Sequence, residues 1–241
     1  MADWTLAIDT STYTQIICLM EGDRVRAHTQ QEPPGNHGSM LLSAIDLLLT
    51  QHEITTKDLA LIAIGVGPGS FTGLRVGLAC AKGLALATGC PIVGVSTLQA
   101  MALPFAMSQP GKLITAAVDA RKKEVYSGSY TWDNASQSLQ VTHKEQALAP
   151  AALHDLMVTH HTSAFVGFMT SKYKPLRPSE DDPYTTLDAN FTAPSGVALA
   201  TLGKLRFASL QESELATLEP NYIRPSDAEV SLQKRLAKKN A

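Results

Sequence analysis

The chain has 241 residues, with 20 Lys and Arg against 22 Asp and Glu for a net charge of −2, and 44% of it is hydrophobic. So much apolar material excludes a disordered chain, and so balanced a charge excludes a strongly basic nucleic-acid binder. The three cysteines, Cys18, Cys80 and Cys90, are odd in number and lack a CxxC spacing, which argues against a disulfide framework or a structural zinc site.

The first elements read as strands. Thr5–Asp9 is apolar and ends in Thr10-Ser11-Thr12, Gln15–Glu21 is β-branched, and Val25–Gln30 alternates after the turn Gly22-Asp23. Together they predict an antiparallel meander. Asn36 is a predicted N-cap for a helix over 37–51, with Met40, Leu41, Ala44, Ile45, Leu48 and Leu49 at helical spacing and Leu42 and Leu47 widening the apolar face. Leu59–Val66 reads as a buried strand, followed by the loop Gly67-Pro68-Gly69-Ser70-Phe71-Thr72-Gly73 and a helix from Leu74 to Thr88. A strand over Pro91–Val95 and a helix over 97–108 precede the break at Pro110-Gly111.

The pattern then restarts. Leu113–Asp119 is an apolar strand ending in Asp, like Leu6–Asp9, and a second strand resumes at Val125-Tyr126. This weak duplication divides the chain into lobes 1–110 and 111–241. In the second lobe, helices are predicted over Pro150–His160 and over Pro194–Leu210, the latter with Pro194 in its first turn. Ser163–Gly167 reads as a strand, Lys172–Pro183 as a polar loop, and Gln233–Ala241 as a basic tail with Lys234, Arg235, Lys238 and Lys239. The longest apolar run, Leu74–Ala87, contains Arg75 and Lys82 and is too short for a bilayer. The N-terminus lacks a signal pattern, so a cytoplasmic protein without a membrane partner is expected.

Two segments carry candidate chemistry. Asp9 at a strand end, followed by Thr10 and Ser11, suits either a carboxylate near a metal–phosphate group or an Asp that binds the amides of its own turn. The stretch from Gly67 to Gly73, with Gly69, Ser70 and Thr72, suits either an anion site at a helix N-terminus or a tight turn. It ends in neither a P-loop nor a dinucleotide fingerprint. The following helix repeats Gly73, Gly77, Ala81 and Ala85 at four-residue spacing, with a second small ridge of Ala79, Gly83 and Ala87. Interior glycines cost about 1 kcal/mol each, so a close neighbour is expected, either in this chain or in a partner. Arg75 and Lys82 make one face basic. No GxSxG elbow is present, and the seven histidines form no HExxH pattern.

Taken together, Ala7-Ile8-Asp9-Thr10-Ser11, Asn36-His37-Gly38-Ser39, Gly65–Arg75 with its GPGSFTGLR core, Ala81-Lys82-Gly83-Leu84, Gly94-Val95-Ser96-Thr97-Leu98, Val118-Asp119-Ala120-Arg121 and Pro220-Asn221-Tyr222-Ile223-Arg224 resemble the TsaB, or YeaZ, family. The resemblance implies a two-lobed α/β fold of the actin, sugar-kinase and Hsp70 type, with duplicated mixed sheets flanked by helices. It implies a non-catalytic scaffold that acts with a TsaD-like catalytic subunit and a TsaE-like ATPase. That machinery transfers a threonylcarbamoyl group to N6 of the adenosine beside the anticodon in tRNAs reading codons that start with A. ATP and metal are then expected on the partners and no cofactor on this chain, with a homodimer when the partner is absent and tRNA met through the complex.

Relatives of the TsaD type carry an Asn-His-x-x-x-His run that holds a metal; here Thr97 and Met101 stand at the two histidine positions. A hydroxyl and a thioether do not replace two imidazoles. Ser11 replaces the Gly of the fold's Asp-x-Gly-Thr loop, so Asp9, Thr10, Ser11, Gly67, Gly69, Ser70, Thr72, Gly73 and Asp119 are expected to be a vestigial phosphate site. The partner interface is expected on the two N-terminal helices, at Leu41, Leu42, Ile45, Leu48, Arg75, Gly77, Leu78, Ala81, Lys82 and Ala85. The alternatives are an ATP-using phosphotransferase with Asp9 and Asp119 near the phosphates, and a metallopeptidase of the glycoprotease type.

Overall fold

The computed structural model describes residues 3–32, 38–167, 172–176, 179, 181–187 and 193–224. The N-cap position Asn36, His37 and the basic tail lie outside them.

The N-terminal meander is present as β1 (Trp4–Asp9), β2 (Gln15–Glu21) and β3 (Arg24–Gln31), with both pairs antiparallel. Helix α1 (Gly38–Gln51), β4 (Leu59–Gly67), α2 (Phe71–Thr88), β5 (Ile92–Ser96) and α3 (Thr97–Ser108) follow. Strands β4 and β5 join β1 in parallel, giving the order β3-β2-β1-β4-β5. The second sheet repeats this plan. It contains β6 (Ile114–Arg121), β7 (Glu124–Asp133), β8 (Ser138–Leu148), β9 (Ala164–Val166) and β10 (Thr185–Leu187), in the order β10-β9-β6-β7-β8. Here too the first strand pairs antiparallel with the second and parallel with the fourth. Two sheets of one topology and one strand polarity, flanked by helices, make the two-lobed α/β fold that the resemblance implies.

Alternation along the strands divides the core. On one face of the first sheet Leu6, Ile8, Ile17, Ile62 and Ile64 pack beneath α1 and α2. The opposite face offers smaller residues, Ala7, Cys18 and Ala63, which join a core shared with α3, with the second sheet and with α5 (Gly196–Leu210). A Cβ on Gly203 of α5 would lie 2.5 Å from that of Ala63. The last helix, though late in sequence, thus lies against the first sheet, while α3 packs on β6 and β7. On its other face the second sheet packs Val125 and Phe165 against Leu153 and Met157 of α4 (Pro150–Thr159).

Several boundaries differ from expectation. Helix α2 begins at Phe71, because the Ser70 side chain caps it by accepting from Gly73 N, so Phe71, Thr72 and Gly73 of the expected loop are helix. Ser195 caps α5, which puts Pro194 before the helix and outside its first turn. Strands β8 and β10 are additions. Among the described residues no helix is long and apolar enough to cross a membrane.

Candidate functional site

The expected phosphate site lies where β1 ends, and this chain's own groups fill it. Asp9 is fully buried. Its Oδ1 accepts from Ser11 N at 2.7 Å and from Ser11 Oγ at 2.6 Å, and its Oδ2 accepts from Thr97 Oγ1 at 2.9 Å. Gly65 lies so close that a Cβ there would sit 1.9 Å from Oδ2. Burial pushes the Asp9 carboxyl above its ordinary range, and the Ser11 and Thr97 hydrogen bonds oppose that rise without reversing it. Thr97, one of the two positions expected to align with a histidine of TsaD-type relatives, is an orienting partner of Asp9; Met101, the other, is buried in the core.

The glycine loop closes on the same turn. Ser70 N donates to Ser11 O at 2.6 Å, and Thr10 Oγ1 donates to Gly73 O at 2.7 Å. Gly69 lies against Ser11 O, Gly67 is left-handed with φ 98°, and Thr72 is exposed on the first turn of α2. The amides that would cradle an anion are occupied: Ser11 N by Asp9, Ser70 N by Ser11 O, and Gly73 N by Ser70 Oγ. These residues do not fit a bound phosphate, so the tight-turn reading accounts for the segment. Asp119 sits apart in a second network, with Oδ1 accepting from Arg121 N at 2.9 Å and Tyr173 OH at 2.9 Å and Oδ2 engaged by Lys172. Burial acts to raise its carboxyl, but those three partners outweigh it and hold it below the usual range. Among the described residues no group of three or more His, Cys, Asp or Glu could hold a metal ion.

Asp9 makes a pH test possible. Its carboxyl is raised in the folded state, so the native chain binds a proton more tightly than the unfolded chain. Stability from this group therefore falls as pH rises from the ordinary value of 3.8 through the folded value. Asp9→Asn removes that dependence. Urea titrations at descending pH are expected to show wild type gaining on Asp9→Asn, between the folded value and 3.8, by at most about 1.4 kcal/mol per pH unit. A gap that closes on acidification would contradict the buried-carboxyl assignment.

The helix face required a correction. Leu41, Ile45 and Leu48 of α1, and Leu78, Ala81 and Ala85 of α2, are buried in this chain's own core beneath the first sheet, so they are closed to a partner. Gly77 is buried as well, and a Cβ there would lie 2.2 Å from Thr10 Oγ1. The Gly73-Gly77-Ala81-Ala85 ridge is therefore small so that α2 can lie against β1 and its turn. Arg75 is exposed but engaged: its Nε donates to Tyr222 OH at 3.0 Å and its guanidinium covers Phe71 at 4.0 Å. Lys82 is half-buried. The outward face belongs to the second small ridge, Ala79, Gly83 and Ala87, together with Leu86 at 76% exposure. Leu42 and Leu47 of α1, expected to widen its apolar face, are 55% and 59% exposed, and of the expected interface residues on α1 only Leu42 faces outward. Among the described residues nothing within 4 Å would meet a Cβ on Gly83, so they do not account for that glycine.

A third feature could not be found from sequence, because β8 was not expected. Glu145 on β8 accepts from Tyr130 OH at 2.8 Å and from Asn221 Nδ2 at 2.8 Å, and it also engages Ser96 at the cap of α3. Asn221 N donates to Val66 O at 2.7 Å. The Pro220–Arg224 motif thus ties the two sheets together, with Tyr222 stacked on Phe71 at 4.6 Å.

A doubled mixed sheet flanked by helices, with the turn after β1 filled by the chain's own groups, defines a two-lobed α/β protein. The family model for "TsaD: tRNA N6-adenosine threonylcarbamoyltransferase" matches residues 32–231. The chain is 33% identical over 228 residues to the Bacillus subtilis tRNA threonylcarbamoyladenosine biosynthesis protein TsaB, covering 93% of this chain and 95% of the relative. It is 36% identical over 155 residues to the Escherichia coli protein of the same name, covering 63% of this chain and 65% of that one. The solved structure of YeaZ from Pseudomonas aeruginosa superposes with a TM-score of 0.75 at 26% identity, over 91% of this chain and 99% of the other. The chain belongs to the TsaB (YeaZ) family.

Proposed function

We propose that this chain is the non-catalytic supporting subunit of the machinery that makes threonylcarbamoyladenosine in tRNA. On this reading it binds a TsaD-like catalytic subunit, works with a TsaE-like ATPase, and leaves ATP and metal to those partners. The carrying observation is the outward stripe of α2. Gly83 costs about 1 kcal/mol relative to Ala in an exposed helix interior, and no contact in this chain offsets it. A second helix pressed against Ala79, Gly83 and Ala87 would offset it, with Leu42 and Leu86 filling the flanks. Without the partner, the same stripe pairs with its own copy across a two-fold axis. The occupied amides around Asp9, and Thr97 and Met101 in place of metal ligands, favour this reading over a phosphotransferase or a metallopeptidase.

Depletion of the protein is expected to lower threonylcarbamoyladenosine in total tRNA, with restoration by the wild-type gene. Nucleoside mass spectrometry reads this directly, and unchanged levels after depletion would sink the assignment. Co-purification with the TsaD-like chain of the same cell tests the docking part separately.

A further inference from the structure

The turn joining β6 to β7 departs from the chemistry its geometry selects. Arg121 pairs with Glu124 across the ladder, leaving Lys122 and Lys123 as a two-residue loop. Their φ values are 51° and 66°, and that of Arg121 is 60°. Two central residues at positive φ are the signature of a type I′ hairpin, which strongly selects Asn-Gly. The β2–β3 turn of this molecule meets its own left-handed position with glycine, Gly22 at φ 55°. At β6–β7 three L-residues of like charge occupy the left-handed region in succession. All three are exposed, so core packing does not select them. A local conflict of this kind, tolerated at an exposed position, points to a function of the side chains.

The tip is also held firmly and placed usefully. Arg224 donates to Glu124 and, at 3.2 Å, to Ala120 O, while Lys172 engages Asp119. Arg121, Lys122, Lys123, Lys172 and Arg224 gather at this hairpin, where Lys172 engages Asp119 and Arg224 engages Glu124. Tyr222, two residues before Arg224, stacks on Phe71 in the first turn of α2. The Arg224 and Tyr222 side chains thus link the β6–β7 hairpin to the first turn of α2.

We propose that Arg121, Lys122 and Lys123 form a contact for the phosphodiester backbone of tRNA. This rests on the reading of the chain as a subunit that acts on tRNA. Phosphate contacts position a nucleic acid without reading its sequence, and a cationic hairpin tip linked through Arg224 and Tyr222 to α2 suits that task. A mononucleotide offers the same phosphate chemistry, and competition separates the two sources.

The decisive variant is Lys122→Asn with Lys123→Gly, which supplies the residues the turn prefers. Its melting temperature is expected to rise by a few degrees while tRNA binding weakens. In fluorescence anisotropy with the full chain at 50 mM salt, affinity should fall about tenfold, and the slope of log K against log salt should shrink by about two. Arg121→Gln should weaken binding too, and ATP at equal phosphate concentration should not displace tRNA. The proposal is overturned if wild type binds no tRNA, if the double variant keeps the wild-type affinity and slope, if its melting temperature falls, or if ATP competes as well as tRNA. Failure of the docking reading would appear elsewhere, as no complex with the TsaD-like subunit in size-exclusion chromatography. The double variant is expected to form that complex as wild type does.

Discussion

Ala81→Arg is expected to unfold the protein, whereas Gly83→Arg is expected to leave it folded and unable to associate. Ala81 is 0% exposed and shares a core with Ile62, Ile64 and Leu78. A guanidinium there combines overpacking with an unpaired buried charge, a cost above about 5 kcal/mol that equals much of a domain's stability. Gly83 is two residues further along the same helix, yet a Cβ there meets nothing within 4 Å among the described residues. Replacing glycine in an exposed helix interior gains about 0.8 kcal/mol of helix propensity, so the melting temperature should hold or rise slightly. The same change places a long charged side chain in the proposed docking stripe. Circular dichroism melting separates the two variants, and size-exclusion chromatography with and without the TsaD-like partner reads association. A folded Ala81→Arg, or a Gly83→Arg protein that still associates, contradicts the facing of α2 described above.

Gly65→Ala is the second large effect. The added methyl would lie 1.9 Å from Asp9 Oδ2 and 2.5 Å from its Cγ. Asp9 cannot swing aside without losing its bonds to Ser11 and Thr97, all of them buried. A loss of about 3 kcal/mol or more is expected, from overpacking plus disrupted buried hydrogen bonds. Asp9→Ala alone is expected to cost about 2 kcal/mol, since it strands the Ser11 and Thr97 donors. The two changes should not add: with the carboxyl gone, the methyl of Gly65→Ala enters the vacated space. A double-mutant cycle by urea denaturation should give a coupling of at least about 1 kcal/mol in the rescuing direction. Strict additivity would show that the contact between Gly65 and Asp9 does not limit the site.

These expectations show where sequence patterns were informative. Gln15–Glu21 and Leu59–Val66 are apolar and β-branched because both faces of the first sheet are covered, so their strands were legible. Strand β8 was not, because it lies at the sheet edge and its Gln140, Thr142 and Lys144 face water. Strand β10 has three residues, and its pairing with β9 defines it where local sequence does not. The polar turn at Asp9 suited either a phosphate site or a self-satisfied turn. The choice came from Ser70 and Thr97, which lie far along the chain and are brought to Ser11 and Asp9 by the fold.

By itself, the amino-acid order determined the alternation of strands and helices, the duplicated lobe plan and the family motifs, because each rests on residues close in the chain. It also contained both small ridges of α2, but a helix carries four-residue spacing equally on every face. Only the tertiary structure decided which ridge is spent inside the molecule. The turn after β1 approaches α2 closely enough for Thr10 to bond Gly73 across 63 positions, and that contact turns Gly77 and Ala81 inward and leaves Gly83 to the surface.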